Sequence, residues 1–328
     1  MTRPACGLRG TGSAVPERIL DNHELERLVD TSDEWITQRT GIKERRIAAE
    51  GQSTSDLCIE AGRRALEDAG LRPEDIDLLV IGTVTPDMRV PATACLVQQK
   101  LGCTRAAAFD LQAGCTGFVY ALDVAANFLW SGSAKHALVI GAECLSRITN
   151  YTDRSSCILF GDAAGAVVLS TDYRFGELLS ASIESDGSGY DVMYQTAGGS
   201  RTPATPELLA VGAQHLVIRG REVYKFATNK MVELVRREQA RNPELPLGVV
   251  IPHQMNLRII EAARERLELP EAAVYVNIQR YGNTSAASIP LALDEARRNG
   301  FFKGREGQLV VLCAFGAGLT WGSAGLRW

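Results

Sequence analysis

Histidine is scarce, cysteine is unpaired and basic charge is not in excess, and each of these shortages removes a class of function. Four histidines occur in 328 residues, none of them grouped with the eight cysteines. No Cys-x-x-Cys pair occurs either, so neither a zinc site nor a redox motif has its usual spacing, and no metal is expected. The cysteines at 6, 58, 95, 103, 115, 144, 157 and 313 read as free thiols of a reducing compartment, most of them small buried apolar residues. A formal net charge of −4 disfavours nucleic-acid binding, which needs positive charge to neutralise phosphates. No stretch approaches the ~18 apolar residues of a membrane span, and the opening Met1-Thr-Arg-Pro-Ala-Cys-Gly-Leu-Arg-Gly10 lacks the apolar core of a secretion signal. A soluble cytoplasmic protein without a membrane partner is the expectation.

What the chain does have is apolar material and a repeated order of elements. At 45% hydrophobic and 23% charged residues it can bury one large core or two medium ones. Periodicity and breakers predict a helix over 54–69 stopped by Gly70, a strand at Asp77–Ile81, and a helix opened by Pro91 and stopped by Gly102. A strand at Ala106–Leu111, an apolar helix over 117–130 and strands at 136–141 and 164–170 complete the first half. The second half repeats the order: helix near 219–240, strand 247–251, helix 256–268, strand Val274–Ile278, helix 285–299, then strands 308–313 and 319–328. Cys115 and Asn283 stand 168 residues apart, and Ile76 and Leu245 stand 169 apart, the register of a duplication with halves at 1–172 and 173–328. Alternating helices and strands imply an α/β protein with parallel-rich sheets, and the paired last strands of each half imply an antiparallel edge. The Gly-, Pro- and Ser-rich stretch 185–214 fits no element and reads either as a lid or as plain connection.

Three residues close apolar strands where a polar or Gly-rich turn begins: Cys115 in Asp110-Leu-Gln-Ala-Gly-Cys-Thr-Gly-Phe118, His253 in Val250-Ile-Pro-His-Gln-Met-Asn256, and Asn283 in Tyr281-Gly-Asn-Thr-Ser-Ala-Ala-Ser288. A thiol, an imidazole and an amide are what carbonyl chemistry on a thioester requires, and strand ends are where α/β folds place it. Cys115 opens a helix, where unpaired amides and the helix dipole favour a thiolate. Taken singly, Cys115 also fits a buried small hydrophobe, His253 a satisfied imidazole and Asn283 a turn residue or helix cap. The run Ala314-Phe-Gly-Ala-Gly-Leu-Thr-Trp321 fits either a tight turn or an approach of backbone amides to a reacting oxygen.

These motifs, with Gly10-Thr-Gly-Ser13, Thr31-Ser-Asp-Glu-Trp-Ile36, Arg39-Thr-Gly-Ile42, Phe160-Gly-Asp162 and Asn256-Leu-Arg-Ile-Ile260, resemble the β-ketoacyl-acyl-carrier-protein synthase III family of the thiolase-like superfamily, nearly end to end. The resemblance implies a five-layered αβαβα thiolase-like fold, a homodimer and a ping-pong Claisen condensation without a cofactor. Cys115 would take an acyl group from acyl-CoA, and malonyl-acyl-carrier protein would then lose carbon dioxide and attack it. His253 and Asn283 would stabilise the malonyl-derived enolate, the amides of Cys115 and Ala317 would form the oxyanion hole, and Phe315 would pack beside the thiol. Trp35 and Arg154 would sandwich the adenine of CoA, with Arg39 near its phosphates and Asn256 toward the pantetheine arm. Lys225 and Arg258 would form a basic rim for the carrier protein. Val90 would close the acyl pocket across the dimer interface, and Val in place of a bulky Phe implies room for branched or longer primers.

Two departures bear on the edges: Arg221 stands where some relatives carry an uncharged CoA contact, and Glu265 stands where a basic rim residue occurs. Other classes fit less well. A papain-like protease also orders Cys, His and Asn this way, with a Cys-to-His gap of 138 residues here, but the Ala-Gly-Cys-Thr-Gly loop does not match its motif and duplicated halves are foreign to it. A specialised-metabolism relative with another acyl acceptor keeps the fold and changes the reaction, and a non-catalytic partner would ordinarily have lost the thiol.

Overall fold

A computed structural model describes residues 4–328. Strand β1 (Gly7–Ala14) is followed by β2 (Arg18–Asp21), α1 (Asn22–Glu26), α2 (Asp33–Thr40) and β3 (Glu44–Ile47), with β2 and β3 paired antiparallel. Next come α3 (Thr54–Ala69), β4 (Leu78–Gly82), α4 (Thr93–Leu101), β5 (Ala107–Leu111), α5 (Gly117–Trp130), β6 (His136–Glu143) and β7 (Ala163–Ser170). The chain continues through β8 (Phe175–Ser185), β9 (Met193–Gln195), α6 (Pro206–Ala210), β10 (Leu216–Ile218), α7 (Gly220–Arg241), β11 (Leu247–Pro252), α8 (Leu257–Arg266) and α9 (Ile278–Tyr281). It closes with α10 (Ser288–Arg298), β12 (Leu309–Gly316) and β13 (Thr320–Arg327).

Nine strands form one sheet in the order β11-β12-β13-β8-β1-β7-β6-β4-β5. A short antiparallel junction, Gly7 with Glu177 and Leu8 with Phe175, joins its two ends. Helix α5 explains the layering. It is apolar over most of its surface, burying Phe118, Val119, Leu122, Ala125 and Leu129 and leaving Asn127 and Phe128 exposed near its end, and such a helix is stable only with packing on most of its sides. It lies with α10 between the two ends of the sheet, touching β4 and β6 on one side and β8 and β13 on the other. Helices α3 and α4 cover the outer face at one end, and α7, backed by α8, covers it at the other. Five layers, helix and sheet alternating, result. Every residue of β6, β7 and β12 is buried, as strands covered on both faces must be.

Three expectations are corrected. The antiparallel pairs lie in the middle of the sheet rather than at an edge, and the parallel pairs β4–β5, β4–β6 and β11–β12 lie toward the outside. The three residues between β12 and β13 are too few for the crossover that a parallel pair needs, so β13 folds back beside β12 and meets β8 inside the sheet. The alternating Val274–Ile278 segment is not a strand. Val274 makes a single bridge to Val250, after which the Gln254 side chain replaces the ladder, donating to the Pro252 and Tyr275 carbonyls at 2.9 and 3.1 Å and accepting from the Asn277 amide at 3.1 Å. Stretch 185–214 is not featureless: β9 pairs with β10, and Val192 and Met193 are buried in the core beneath α7. Ile218, at the end of β10, borders the cavity described below.

Candidate active site

Cys115 sits in a 3-10 turn, Gly114–Thr116, between β5 and α5. The turn is clamped from the opposite end of the sheet. Thr116 Oγ1 lies 2.9 Å from Thr320 Oγ1, and the Thr320 hydroxyl also reaches the Ala113 and Ala317 carbonyls at 3.0 and 2.9 Å. Glycine is required at the contact: a Cβ on Gly316 would lie 2.8 Å from the Cys115 nitrogen, and one on Gly114 would lie 3.0 Å from the Ala317 nitrogen. The Cys115 and Ala317 amides therefore belong to two backbones in direct apposition. Burial pushes the Cys115 thiol up to about 12, against an opposing hydrogen bond from Ser285. That direction is opposite to what a helix start alone would give, because desolvation of a thiolate outweighs the local dipole.

His253 follows β11 and is fully buried, its amide donating to the Cys313 carbonyl at 2.8 Å. Its Nδ1 lies 2.7 Å from Ser288 Oγ, while Nε2 is buried with no hydrogen-bond partner among the described residues. With no carboxylate beside it, burial alone lowers the imidazole to about 3, so it is neutral near pH 7. Phe315 packs edge-on against this ring, centroids 5.8 Å apart, so its contact is with the imidazole. Asn283 follows α9 rather than a strand, and the Phe160-Gly-Asp162 segment holds it: its amide donates to the Leu159 carbonyl at 2.8 Å, and its carbonyl accepts from the Gly161 amide at 3.0 Å. Asn283 Oδ1 accepts from the Ser285 amide at 2.8 Å, which turns the amide nitrogen the other way. Asp162 supports the same segment by accepting from the Ala48 and Ser146 amides at 2.8 and 2.9 Å.

A cavity of about 630 Å³ is walled by Trp35, Arg39, Arg221, Tyr224, Asn256 and Arg258, and by Leu159 and Met255; Cys115, His253 and Asn283 do not themselves line it. It thus reaches the residues flanking Asn283 and His253. Arg154 stacks directly on Trp35, its guanidinium carbon 4.3 Å from the ring centroid, and Arg39 lies 5.7 Å from the same ring. A base entering between Trp35 and Arg154 must displace the guanidinium. Asn256 caps α8 by accepting from the Arg258 amide at 2.9 Å and donates to the Arg39 carbonyl at 3.1 Å, so its polar atoms already have partners. Lys225 is exposed and lies off the cavity wall. Val90 is 84% exposed, on a segment apart from the cavity.

Three polar residues beside this cluster carried no role in the sequence reading. Ser285 and Ser288 lie inside the Gly282–Ser288 motif, at the spacing that puts both near α10, and that spacing was the available signal. Glu143 ends the apolar strand β6, and a lone acid closing a fully buried strand was its only sign. Among the described residues, no three His, Cys, Asp or Glu side chains are grouped so as to hold a metal ion. No helix is long and apolar enough to cross a membrane, again among the described residues.

Five alternating layers, with a buried thiol, imidazole and amide gathered where their ends meet, define a thiolase-like condensing enzyme. The family model described as 3-oxoacyl-acyl-carrier-protein synthase III matches residues 109–187, and the model for its C-terminal part matches residues 244–328. The β-ketoacyl-acyl-carrier-protein synthase III of Caldanaerobacter subterraneus subsp. tengcongensis is 51% identical over 99% of this chain and 98% of that protein. That of Clostridioides difficile is 48% identical over 98% of both. The crystal structure of the Aquifex aeolicus synthase III superposes with a TM-score of 0.89 at 45% identity, covering 98% of this chain and 100% of that one. The chain belongs to the β-ketoacyl-acyl-carrier-protein synthase III family.

Proposed function

We propose that this enzyme condenses an acyl-CoA primer with malonyl-acyl-carrier protein, releasing CoA and carbon dioxide and so initiating type II fatty acid synthesis. The observation that carries the reading is the buried, neutral His253 whose Nε2 has no partner while Nδ1 is held by Ser288. If the Ser288 hydroxyl donates to Nδ1, the proton resides on Nε2, which is then a fixed neutral donor free for a substrate oxygen. Loss of carbon dioxide from a malonyl thioester places negative charge on the thioester oxygen, and two preorganised N–H donors lower that barrier in a site that excludes water. Cys115 attacks the primer thioester, the carbon–sulfur bond to CoA breaks, and the enolate later attacks the acyl-Cys115 carbonyl and expels the thiolate. The Cys115 and Ala317 amides stabilise the oxyanion of both acyl transfers, and Phe315 borders the acyl chain.

The cavity suits CoA. Trp35 and Arg154 offer an aromatic and a guanidinium plane for adenine, Arg39 and Arg221 offer charge for phosphate, and Asn256 borders the route inward. Arg258, with Lys225 outside the cavity, would meet the acidic carrier protein, and Glu265 would weaken that rim locally. We further propose that the duplicated halves are residues 1–172 and 173–328, and that the enzyme works in the cytoplasm as a homodimer in which Val90 is covered by the partner subunit. A second reading has one observation in its favour: a priming β-ketosynthase of the R1128 polyketide pathway superposes with a TM-score of 0.89 at 34% identity over 99% of this chain and 96% of that one. Intact mass after incubation with acetyl-, isobutyryl- and octanoyl-CoA, wild type beside Cys115→Ala, followed by malonyl-carrier protein, separates the two. Acylation of the wild type alone, discharged as β-ketoacyl-carrier protein with carbon dioxide, is expected. Acylation that malonyl-carrier protein does not discharge would favour another acceptor, and acylation of Cys115→Ala would remove the nucleophile assignment.

A further inference from the structure

Glu143 is a fully buried carboxyl at the end of β6, with no cation paired to it among the described residues. Its oxygens accept from the Thr85 hydroxyl at 2.6 Å, the Val84 amide at 3.1 Å, the Thr83 hydroxyl at 3.3 Å and the Ser285 hydroxyl at 3.2 Å. The turn Ser285–Ala287 packs against the turn Gly114–Thr116 that carries Cys115, and Ser285 is the polar side chain that opposes the upward push on its thiol. Ser285 is held in the left-handed region at φ +47, a conformation that disfavours serine and is kept only where its surroundings fix it. The Asn283 side chain does part of this by accepting the Ser285 amide. A hydroxyl has one proton to give and can also accept, so Ser285, which gives its proton to Glu143, keeps a lone pair for the thiol proton of the adjoining turn.

We infer that Glu143 is a positioning residue that acts through Ser285 as the proton store of Cys115, taking the thiol proton when the enzyme is acylated and returning it when condensation expels the thiolate. The inference rests on Cys115 being the acylated nucleophile. In the first step, the Cys115 sulfur bonds to the primer carbonyl and the bond to CoA breaks, so CoA leaves as a thiolate that is protonated by solvent. The Cys115 proton passes to Ser285 Oγ while the Ser285 hydroxyl proton passes to Glu143. In the second step, malonyl carboxylate leaves as carbon dioxide, the enolate carbon bonds to the acyl carbon, and the expelled Cys115 thiolate recovers its proton by the reverse shift. One proton is stored and one returned per turnover, and charge balances at each step.

The electrostatics suit a store. Burial raises the thiol to about 12, so almost none of it ionises near neutrality without an acceptor. Burial also raises Glu143, to about 7, with its four hydrogen bonds opposing, so it can both take and release a proton near pH 7. The other titratable groups around this cluster are Cys58 of α3, Cys144, Asp87, Asp110 of β5, Asp162 and Arg147. Burial pushes both thiols well up. The three carboxylates are occupied by backbone amides: Asp87 by Ser55, Asp110 by Thr93 and Ala94, and Asp162 by Ala48 and Ser146. Arg147 is turned to the Ala49 and Gln52 carbonyls, and His253 is neutral in this range.

The test is the pH profile of Cys115 alkylation by iodoacetamide in the intact enzyme, with peptide mapping to separate Cys115 from the other thiols. In the wild type the rate should rise about tenfold per pH unit below an inflection near 7 and level off above it. Glu143→Gln, nearly isosteric, should lose the inflection and react about 10–100-fold more slowly at pH 7.5, while Glu143→Asp should restore an inflection. Ser285→Gly, which suits the positive φ, should behave as Glu143→Gln does, and it decides alone if Glu143→Gln does not fold. A wild-type profile retained in folded Glu143→Gln or in Ser285→Gly overturns the inference. Acylation by acetyl-CoA mapped to a residue other than Cys115 overturns instead the reading on which it stands.

Discussion

In the proposed condensation His253 serves through what it lacks. A histidine beside a carboxylate would be cationic, whereas this one is buried with a hydroxyl on Nδ1 and nothing on Nε2. Removing the ring should therefore harm condensation and spare acylation. His253→Ala should lower the rate of carbon dioxide release by about 10²–10³-fold, the usual cost of losing a preorganised donor, with Cys115 acylation by acetyl-CoA nearly unchanged. Ser288→Ala leaves the ring but frees its tautomer and should cost about tenfold, roughly one hydrogen bond. Radiolabelled carbon dioxide release beside intact mass reads the two half-reactions separately, and equal losses in both would contradict the assignment. Cys115, His253 and Asn283 could be singled out in the sequence as candidates because each stands at the end of an element where a polar or Gly-rich turn begins. Glu143 and Ser285 could not, because their meaning lies in a contact between residues 142 positions apart.

Elements place these side chains by backbone contact more than by side-chain packing. Gly141 of β6 faces the 3-10 turn Ser285–Ala287 so closely that a Cβ there would lie 2.2 Å from the Ala286 carbonyl oxygen and 2.8 Å from its carbon. Neither atom can rotate away, so Gly141→Ala must move the turn that carries Ser285 and leads into α10. The expected cost is about 1–3 kcal/mol of stability, as for other overpacked cores, with loss of Cys115 reactivity beyond what the stability change explains. Thermal melting and iodoacetamide kinetics on the same sample check this, and a variant with wild-type melting and reactivity would show that the turn has slack. The same scale shows where pattern reading stops. The helix over 54–69 was exact at both ends because Ser53 and Asp56 mark its start and Gly70, at φ +63, marks its stop. Val274–Ile278 alternates like a strand, yet the side chain of Gln254 takes the hydrogen bonds a strand would make, and no periodicity within the segment encodes a distant amide. The turn between β12 and β13 had two readings from its glycines, and only the position of Cys115 opposite Gly316 shows how close the approach is.

At the scale of the whole molecule, the repeat order implied an α/β protein, but the number of layers came from resemblance, since nothing local says that α5 is covered on both sides by sheet. Its mainly apolar composition, broken only by Asp123 and Asn127 among its side chains other than Tyr120, was the nearest sequence sign. The same limit applies to surfaces, because an exposed side chain acquires meaning only from what covers it. Met88 and Val90 are 47% and 84% exposed, two apolar side chains in one short segment, as expected of residues that a second subunit buries. Sedimentation velocity at micromolar concentration should therefore give a dimer. In that dimer Val90 would close the partner subunit's acyl pocket, so its size sets the space beyond the thioester. Val90→Phe should leave acetyl-CoA turnover largely intact and lower kcat/KM for isobutyryl- and octanoyl-CoA by about 10–200-fold, the range that one or two misplaced methylenes command in an apolar pocket. Burst acylation read by intact mass places the effect: a loss already present in acyl transfer means that the chain no longer fits. An unchanged primer profile in a dimeric Val90→Phe enzyme would remove residue 90 from the pocket, and a monomeric wild type with full activity would remove the partner subunit from it.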